Sequence, residues 1–161
     1  MIVIVMGVVG AGKTTVGRML AAQLNWEFAD ADDFHPASNV EKIRDGIALT
    51  DADRMPWLNL LHQAIAQWIV ERKNVILACS ALKASYRSNL KVSPDVRFVY
   101  LKGSAPLIAE RLRARHGHFA GESILASQLA DLEEPEDALT VDISSGPQQI
   151  VEEIRKGLGL E

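Results

Sequence analysis

Cysteine is nearly missing from this chain: Cys79 is the single one among 161 residues. A lone thiol closes no internal disulfide, so a disulfide scaffold is excluded. No long apolar run is present either, since the opening stretch Ile2-Val3-Ile4-Val5 is far too short to span a bilayer. No leading segment joins a basic start to an apolar core and a cleavage site, so a cytoplasmic location is expected. Positive charge is in deficit. The net charge of −4 and the pI near 5.6 argue against nucleic acid or membrane surfaces as partners, because neither polyanion is attracted by the whole-molecule field. Internal repeats and low-complexity tracts are absent.

What is there suits a soluble globular protein. The chain is 48% hydrophobic and 24% charged, and its length is enough for one domain over residues 1–161. Its organising stretch is Gly7-Val8-Val9-Gly10-Ala11-Gly12-Lys13-Thr14, followed by Thr15 and a helical pattern. The spacing G-x-x-x-x-G-K-[ST] after an apolar strand has a mechanism. Glycines let backbone N–H groups turn inward around an anion, and the next helix presents its positive end to the same point. Gly7, Gly10, Ala11, Gly12, Lys13, Thr14 and Thr15 are therefore expected to hold the phosphates of ATP. Lys13 would reach the β- and γ-phosphates and Thr14 would meet Mg²⁺. A plain strand–helix turn explains a glycine but not the lysine and threonine together.

The rest of the chain alternates. Val16, Leu20 and Leu24 mark a packing helix, and Trp26 to Asp30 a strand ending in the acidic group Asp30, Asp32 and Asp33. In open α/β sheets the ligand crevice lies outside such strand ends. A short helical piece closes at Gly46, Thr50 to Asp53 cap a long helix with Pro56 in its first turn, and Leu58, Leu61, Ile65, Trp68 and Ile69 give that helix its apolar face. Val75 to Cys79 reads as a strand buried on both faces. A shorter helix spans Tyr86 to Leu90, and Arg97 to Leu101 is the next strand. Arg111 and Arg115 share a helix face at i, i+4 spacing. The glycines of 116–121 suggest a lid of about 112–122, and a helix through Leu125, Leu129 and Leu132 runs up to Pro135. Leu139 to Ile143 is a fifth strand and Ile150, Ile154 and Leu158 a closing helix. The expected class is α/β, three layers with right-handed crossovers.

With these features in place, the sequence resembles the gluconate kinase (gluconokinase) family among the small P-loop kinases of nucleoside-monophosphate-kinase type. The resemblance is carried by the loop Gly7 to Thr14, by His35-Pro36 with Asn39 and Lys42, and by Gly46, Leu49, Asp51, Asp53-Arg54, Pro56 and Trp57-Leu58. It continues through Cys79-Ser80-Ala81-Leu82-Lys83, Tyr86-Arg87, Leu101-Lys102-Gly103, Arg111, Arg115 and Gly117-His118-Phe119. It implies transfer of the ATP γ-phosphoryl group to the 6-hydroxyl of D-gluconate. It also implies a five-stranded parallel sheet of order 2-3-1-4-5 with helices on both faces, a substrate-binding segment of about 35–58, and a homodimer.

Phosphoryl transfer needs cations around the phosphates and an acceptor for the attacking hydroxyl's proton. Asp32 is the candidate acceptor, and the similarity of Asp30-Ala31-Asp32 to the acidic pair of related small-molecule kinases implies that Asp30 helps organise Mg²⁺; the alternative for both is a solvated helix cap. A sugar acid needs a forked cation for its carboxylate and mixed donors for its hydroxyls. Arg54 and Arg87 fit the first need, or else form surface ion pairs. Lys83, His35 and His118 are candidates for the second, or simply polar surface residues. Lys13, Arg111 and Arg115 would stabilise charge on the transferring group; for the arginines a solvated helix face is the other reading. Cys79 reads as a small buried side chain, and Trp57 and Trp68 as core or interface residues rather than stacking platforms.

One departure from the broader P-loop pattern concerns the third strand, which ends in Cys79-Ser80 with no aspartate for a Mg²⁺ water. Ser80 through a water, or Asp30, could stand in. Other readings are a kinase for shikimate, for another small acid or polyol, or for a nucleoside monophosphate, and a nucleotide-binding regulatory module without turnover. Cys79-Ser80-Ala81 is not the glycine-rich turn that shikimate kinases place there, and no Asn-Lys-x-Asp stretch marks a guanine switch. The turn Ser144 to Pro147 stands where this fold usually holds adenine.

Overall fold

In the computed structural model, which describes residues 1–116 and 122–160, strand β1 (Ile2–Met6) runs through the middle of a parallel sheet. Alternate side chains leave a strand on opposite faces. Val3 and Val5 accordingly enter one apolar cluster, and Ile2, Ile4 and Met6 the other. All five are fully buried, which is why the stretch reads as an unbroken apolar run. The remaining strands are β2 (Glu27–Asp30), β3 (Val75–Ala78), β4 (Val96–Lys102) and β5 (Leu139–Asp142). Their order is β2-β3-β1-β4-β5, as the resemblance implies, with every pairing parallel.

Seven α-helices are described: α1 (Lys13–Leu24), α2 (Ala37–Arg44), α3 (Asp51–Val70), α4 (Ala84–Leu90), α5 (Ala105–His116), α6 (Glu122–Asp131) and α7 (Pro147–Leu158). Leu20 of α1, Ile108 of α5 and Ile154 of α7 cover the Val3 face; Leu61 of α3 and Leu90 of α4 cover the Ile4 face. Helices therefore lie on both sides of the sheet. α1 packs tightly on the sheet at Gly17, where a Cβ would fall 2.8 Å from the ring of Phe28 on β2.

Two boundaries differ from the sequence reading. Helix α3 starts at Asp51, because Thr50 and Asp53 exchange side-chain and backbone hydrogen bonds in a capping box. Pro56 thus stands inside the helix rather than in its first turn, where it offers no N–H to the carbonyl of Ala52. Helix α6 stops at Asp131 instead of running to Pro135, since the N–H of Glu133 donates to the Leu82 carbonyl at 2.8 Å and ties the chain to the loop after β3. No helix among the described residues is long and apolar enough to cross a membrane.

Candidate active site

The loop between β1 and α1 has the backbone its glycines allow. Gly10 and Gly12 hold φ of 81° and 98°, in the left-handed region that disfavours other residues. At Gly10 space matters as well, because a Cβ there would lie 2.8 Å from Cγ of Leu112 on α5. Gly12 also caps α1 and makes no side-chain hydrogen bond to its first amides, and Gly12, Lys13 and Thr14 line the cleft. Ala11 is buried beneath the loop, whereas Thr15 is exposed and lines the cleft. Lys13 folds back over the loop, Nζ donating to the Val8 carbonyl at 2.9 Å. Burial pushes its ammonium below the ordinary lysine value, with Asp32 and Asp30 acting in the opposite sense.

β2 delivers the acidic pair. Asp30 accepts from the Thr14 hydroxyl at 3.2 Å through Oδ2, and from the backbone N–H of Asp32 at 3.0 Å through Oδ1. Asp30 is thus the residue that caps the following single 3₁₀ turn (Ala31–Phe34), and Asp32 is free of that duty. Asp32 points into the cleft. Its carboxylate is open to the cavity yet enclosed by protein at longer range, and this partial desolvation, reinforced by Asp30, raises it above the usual carboxylate value; Lys13 opposes the shift. Asp33 is exposed.

A second wall comes from the segment 35–58. His35 lies flat on Trp57, ring centres 4.5 Å apart, with Nε2 3.9 Å from Asp32 Oδ1. Burial and the nearby Arg54 hold the imidazole down to about 4, so it is neutral at physiological pH. Arg54 is itself buried, donating to the Tyr86 hydroxyl at 3.0 Å and to Asp131 at 3.1 Å. One cavity of about 250 Å³ joins all of this: Lys13, Thr14, Asp30, Asp32, His35 and Arg54 line it, together with Ile43, Ile47 and Leu49. Arg115 reaches the same cavity from α5, as does Ser80 from the end of β3.

Several expected site residues stand apart from that cavity. Arg87 is buried, but its guanidinium donates to the carbonyls of Ala81, Leu82 and Glu133 and does not line the cleft. Lys83 lies outside the lining too, paired with Asp51 at 2.9 Å. Arg111 donates to the Ile143 carbonyl at 2.6 Å, next to the Ser144 turn rather than over the loop. His118 lies outside the described residues, as does much of the expected lid. Cys79 is buried at the cleft floor, its thiol pushed up to about 12 by burial. Trp57 is a core residue as expected, anchored by its indole N–H to the Ala31 carbonyl, but it is also the platform for His35.

Sequence reasoning missed the contribution of α6. Gln128 Oε1 accepts from the backbone N–H of Val9 in the phosphate loop at 2.6 Å, and Asp131 holds Arg54. Ile124, Ser127 and Gln128 line the cavity, and with Asp131 they stand at i, i+3, i+4 and i+7. That stripe was the available signal, hidden by the leucines on the other face of the same helix.

A family model described as shikimate kinase matches residues 9–156. The chain is 45% identical to a gluconokinase of Gluconobacter oxydans, over 94% of this chain and 87% of that one. Among solved structures it is similar to a gluconokinase from Sinorhizobium meliloti, with TM-score 0.87 and 41% identity, covering 98% of this chain and 90% of that one. A shikimate kinase from Bacteroides thetaiotaomicron shares the fold at TM-score 0.69 over 99% and 98% of the two chains, but with 19% identity.

Proposed function

Since this chain belongs to the gluconokinases, and to the wider shikimate kinase family whose model it matches, we propose that it transfers the γ-phosphoryl group of ATP to the 6-hydroxyl of D-gluconate. The products are 6-phosphogluconate and ADP. The observation that carries this reading is the shared cavity, in which the phosphate loop faces a carboxylate, an imidazole and a guanidinium. Anion and polyol donors thus meet in one place.

In the proposed reaction the first amides of α1 and Lys13 hold the triphosphate, and Arg115 adds positive charge from α5. Arg54 receives the substrate carboxylate as a fork. Asp32, with its raised proton affinity, takes the hydroxyl proton as the oxygen attacks phosphorus and the bond to ADP breaks. Thr14 and Asp30 offer hard oxygen donors 3.2 Å apart, suited to Mg²⁺, which when bound would neutralise phosphate charge. No set of three or more His, Cys, Asp or Glu side chains among the described residues could hold a metal alone. A Mg²⁺ ion that takes most of its shell from phosphates and water needs none. Lys83 supports the substrate segment through Asp51, Arg87 ties the loop after β3 to the Glu133 carbonyl, and Arg111 supports the nucleobase side. The chain works as one kinase unit over 1–161, with a homodimer and a cytoplasmic setting going with the family reading.

The test is ADP release with Mg-ATP and a panel of acceptors: D-gluconate, shikimate, other sugar acids, free hexoses and nucleoside monophosphates. Turnover confined to gluconate is expected. Turnover with shikimate alone would keep the kinase and discard the pocket assignment.

A further inference from the structure

The imidazole of His35 is fixed by more than its stacking on Trp57. Asn39 is 2% exposed, and its Nδ2 lies 2.7 Å from the backbone carbonyl of Asp53 and 3.2 Å from Nδ1 of His35. A carbonyl can only accept, so the Asn39 atom facing it must be the NH₂ group. The same NH₂ group faces Nδ1, which must therefore accept as well. In a neutral imidazole the remaining hydrogen then sits on Nε2. That nitrogen is the one turned towards Asp32 Oδ1, 3.9 Å away. The gap is too long for a direct hydrogen bond, but an oxygen placed to one side reaches both atoms at ordinary distances.

We propose that His35 Nε2–H donates to the oxygen of the acceptor hydroxyl while that hydroxyl donates to Asp32 Oδ1, and that Asn39 is the positioning residue that sets the imidazole tautomer. The proposal rests on the reading of Asp32 as proton acceptor. The oxygen gives its electron pair to the γ-phosphorus, the bond to ADP breaks, and the proton passes to Asp32, so the imidazole stays neutral throughout. A neutral ring matters here because an imidazolium beside Asp32 would pair with the carboxylate that has to take the proton. The groups facing the ring fit this: Asp32 in front, Arg54 at the side, Trp57 beneath and Asn39 at the edge. Lys42 neutralises Asp53 behind Asn39 and keeps that carboxylate bound elsewhere.

The experiment combines ring ¹⁵N spectra of the full chain with kinetics of three variants. The wild type is expected to show His35 protonated at Nε2 only at pH 7, and Asn39→Asp to move the proton to Nδ1 or to charge the ring. His35→Gln, whose amide nitrogen can stand where Nε2 does, should keep kcat within about 10-fold. His35→Leu and Asn39→Asp should lower kcat by roughly 10- to 100-fold, with KM for ATP unchanged. If Asn39→Asp does not fold, the wild-type tautomer and the His35 pair still decide. A wild-type Nδ1–H tautomer, or wild-type kcat in His35→Leu, overturns the proposal. No gluconate turnover in the wild type would overturn the reaction itself, and the tautomer stays readable in that case.

Discussion

Thr14 Oγ1 donates to Asp30 Oδ2 across 3.2 Å, so the end of the phosphate loop and the end of β2 are one hydrogen bond apart. The start of α1, which follows β1, thus meets the end of β2, although β3 lies between β1 and β2 in the sheet. The pair brings two hard oxygens to the place where the phosphates are expected.

Replacing Thr14 by Val or Asp30 by Asn should therefore raise the Mg²⁺ concentration needed for half-maximal turnover by about 10-fold or more. Titration of activity with Mg²⁺ at fixed ATP measures it. An unchanged Mg²⁺ requirement in both variants would place the metal elsewhere.

Asp32→Ala should lower kcat by about 10²- to 10⁴-fold, the usual range for loss of a general base. KM for ATP should change little, because Asp32 touches none of the loop amides. Steady-state kinetics varying each substrate in turn distinguish the two effects.

Arg54 and Arg87 should behave oppositely, although both are buried guanidiniums. Arg54→Ala should raise KM for gluconate by about 10- to 100-fold, since it lines the cavity. Arg87→Ala should leave KM nearly unchanged while lowering stability by about 3 kcal/mol, because three backbone carbonyls lose their donor. Thermal melts beside kinetics separate the pair.

The acid limb of stability should carry a His35 component. The folded imidazole titrates at about 4, below its ordinary 6.5, so below 6.5 the unfolded chain takes the proton first. The stability that His35 contributes is complete above 6.5 and is lost as pH falls towards about 4. Urea unfolding between pH 7 and pH 4 should therefore show a shallower decline for His35→Gln than for the wild type.

The sheet was legible because β1 and β3 are unbroken apolar runs and the other strand stretches fall between segments of helical spacing, and the loop because its glycines and lysine form a fixed pattern. Harder to read were residues whose role depends on what another element brings to them. Arg54 and Arg87 look alike in sequence, and only the carbonyls of Ala81, Leu82 and Glu133 separate them. Asn39 is marked in the sequence only as part of the family resemblance and is given no task there; that task is set by the Asp53 carbonyl, 14 residues further on. The start of α3 was misplaced because Pro56 is permitted in a first turn, whereas the capping box at Thr50 fixed the boundary before it.

Gly17 faces Phe28 so closely that an added Cβ would stand 2.8 Å from the ring and 3.6 Å from the side chain of Ile76. Glycine inside a helix costs about 1 kcal/mol against alanine, so this position gives up helix stability for room. The two sites then constrain each other's history. A lineage that first shrinks the ring can afterwards fill position 17 and regain the helix, whereas one that fills position 17 first passes through a clash. Substitutions at 17 and 28 should consequently be found together, in that order of descent, and their effects should not add.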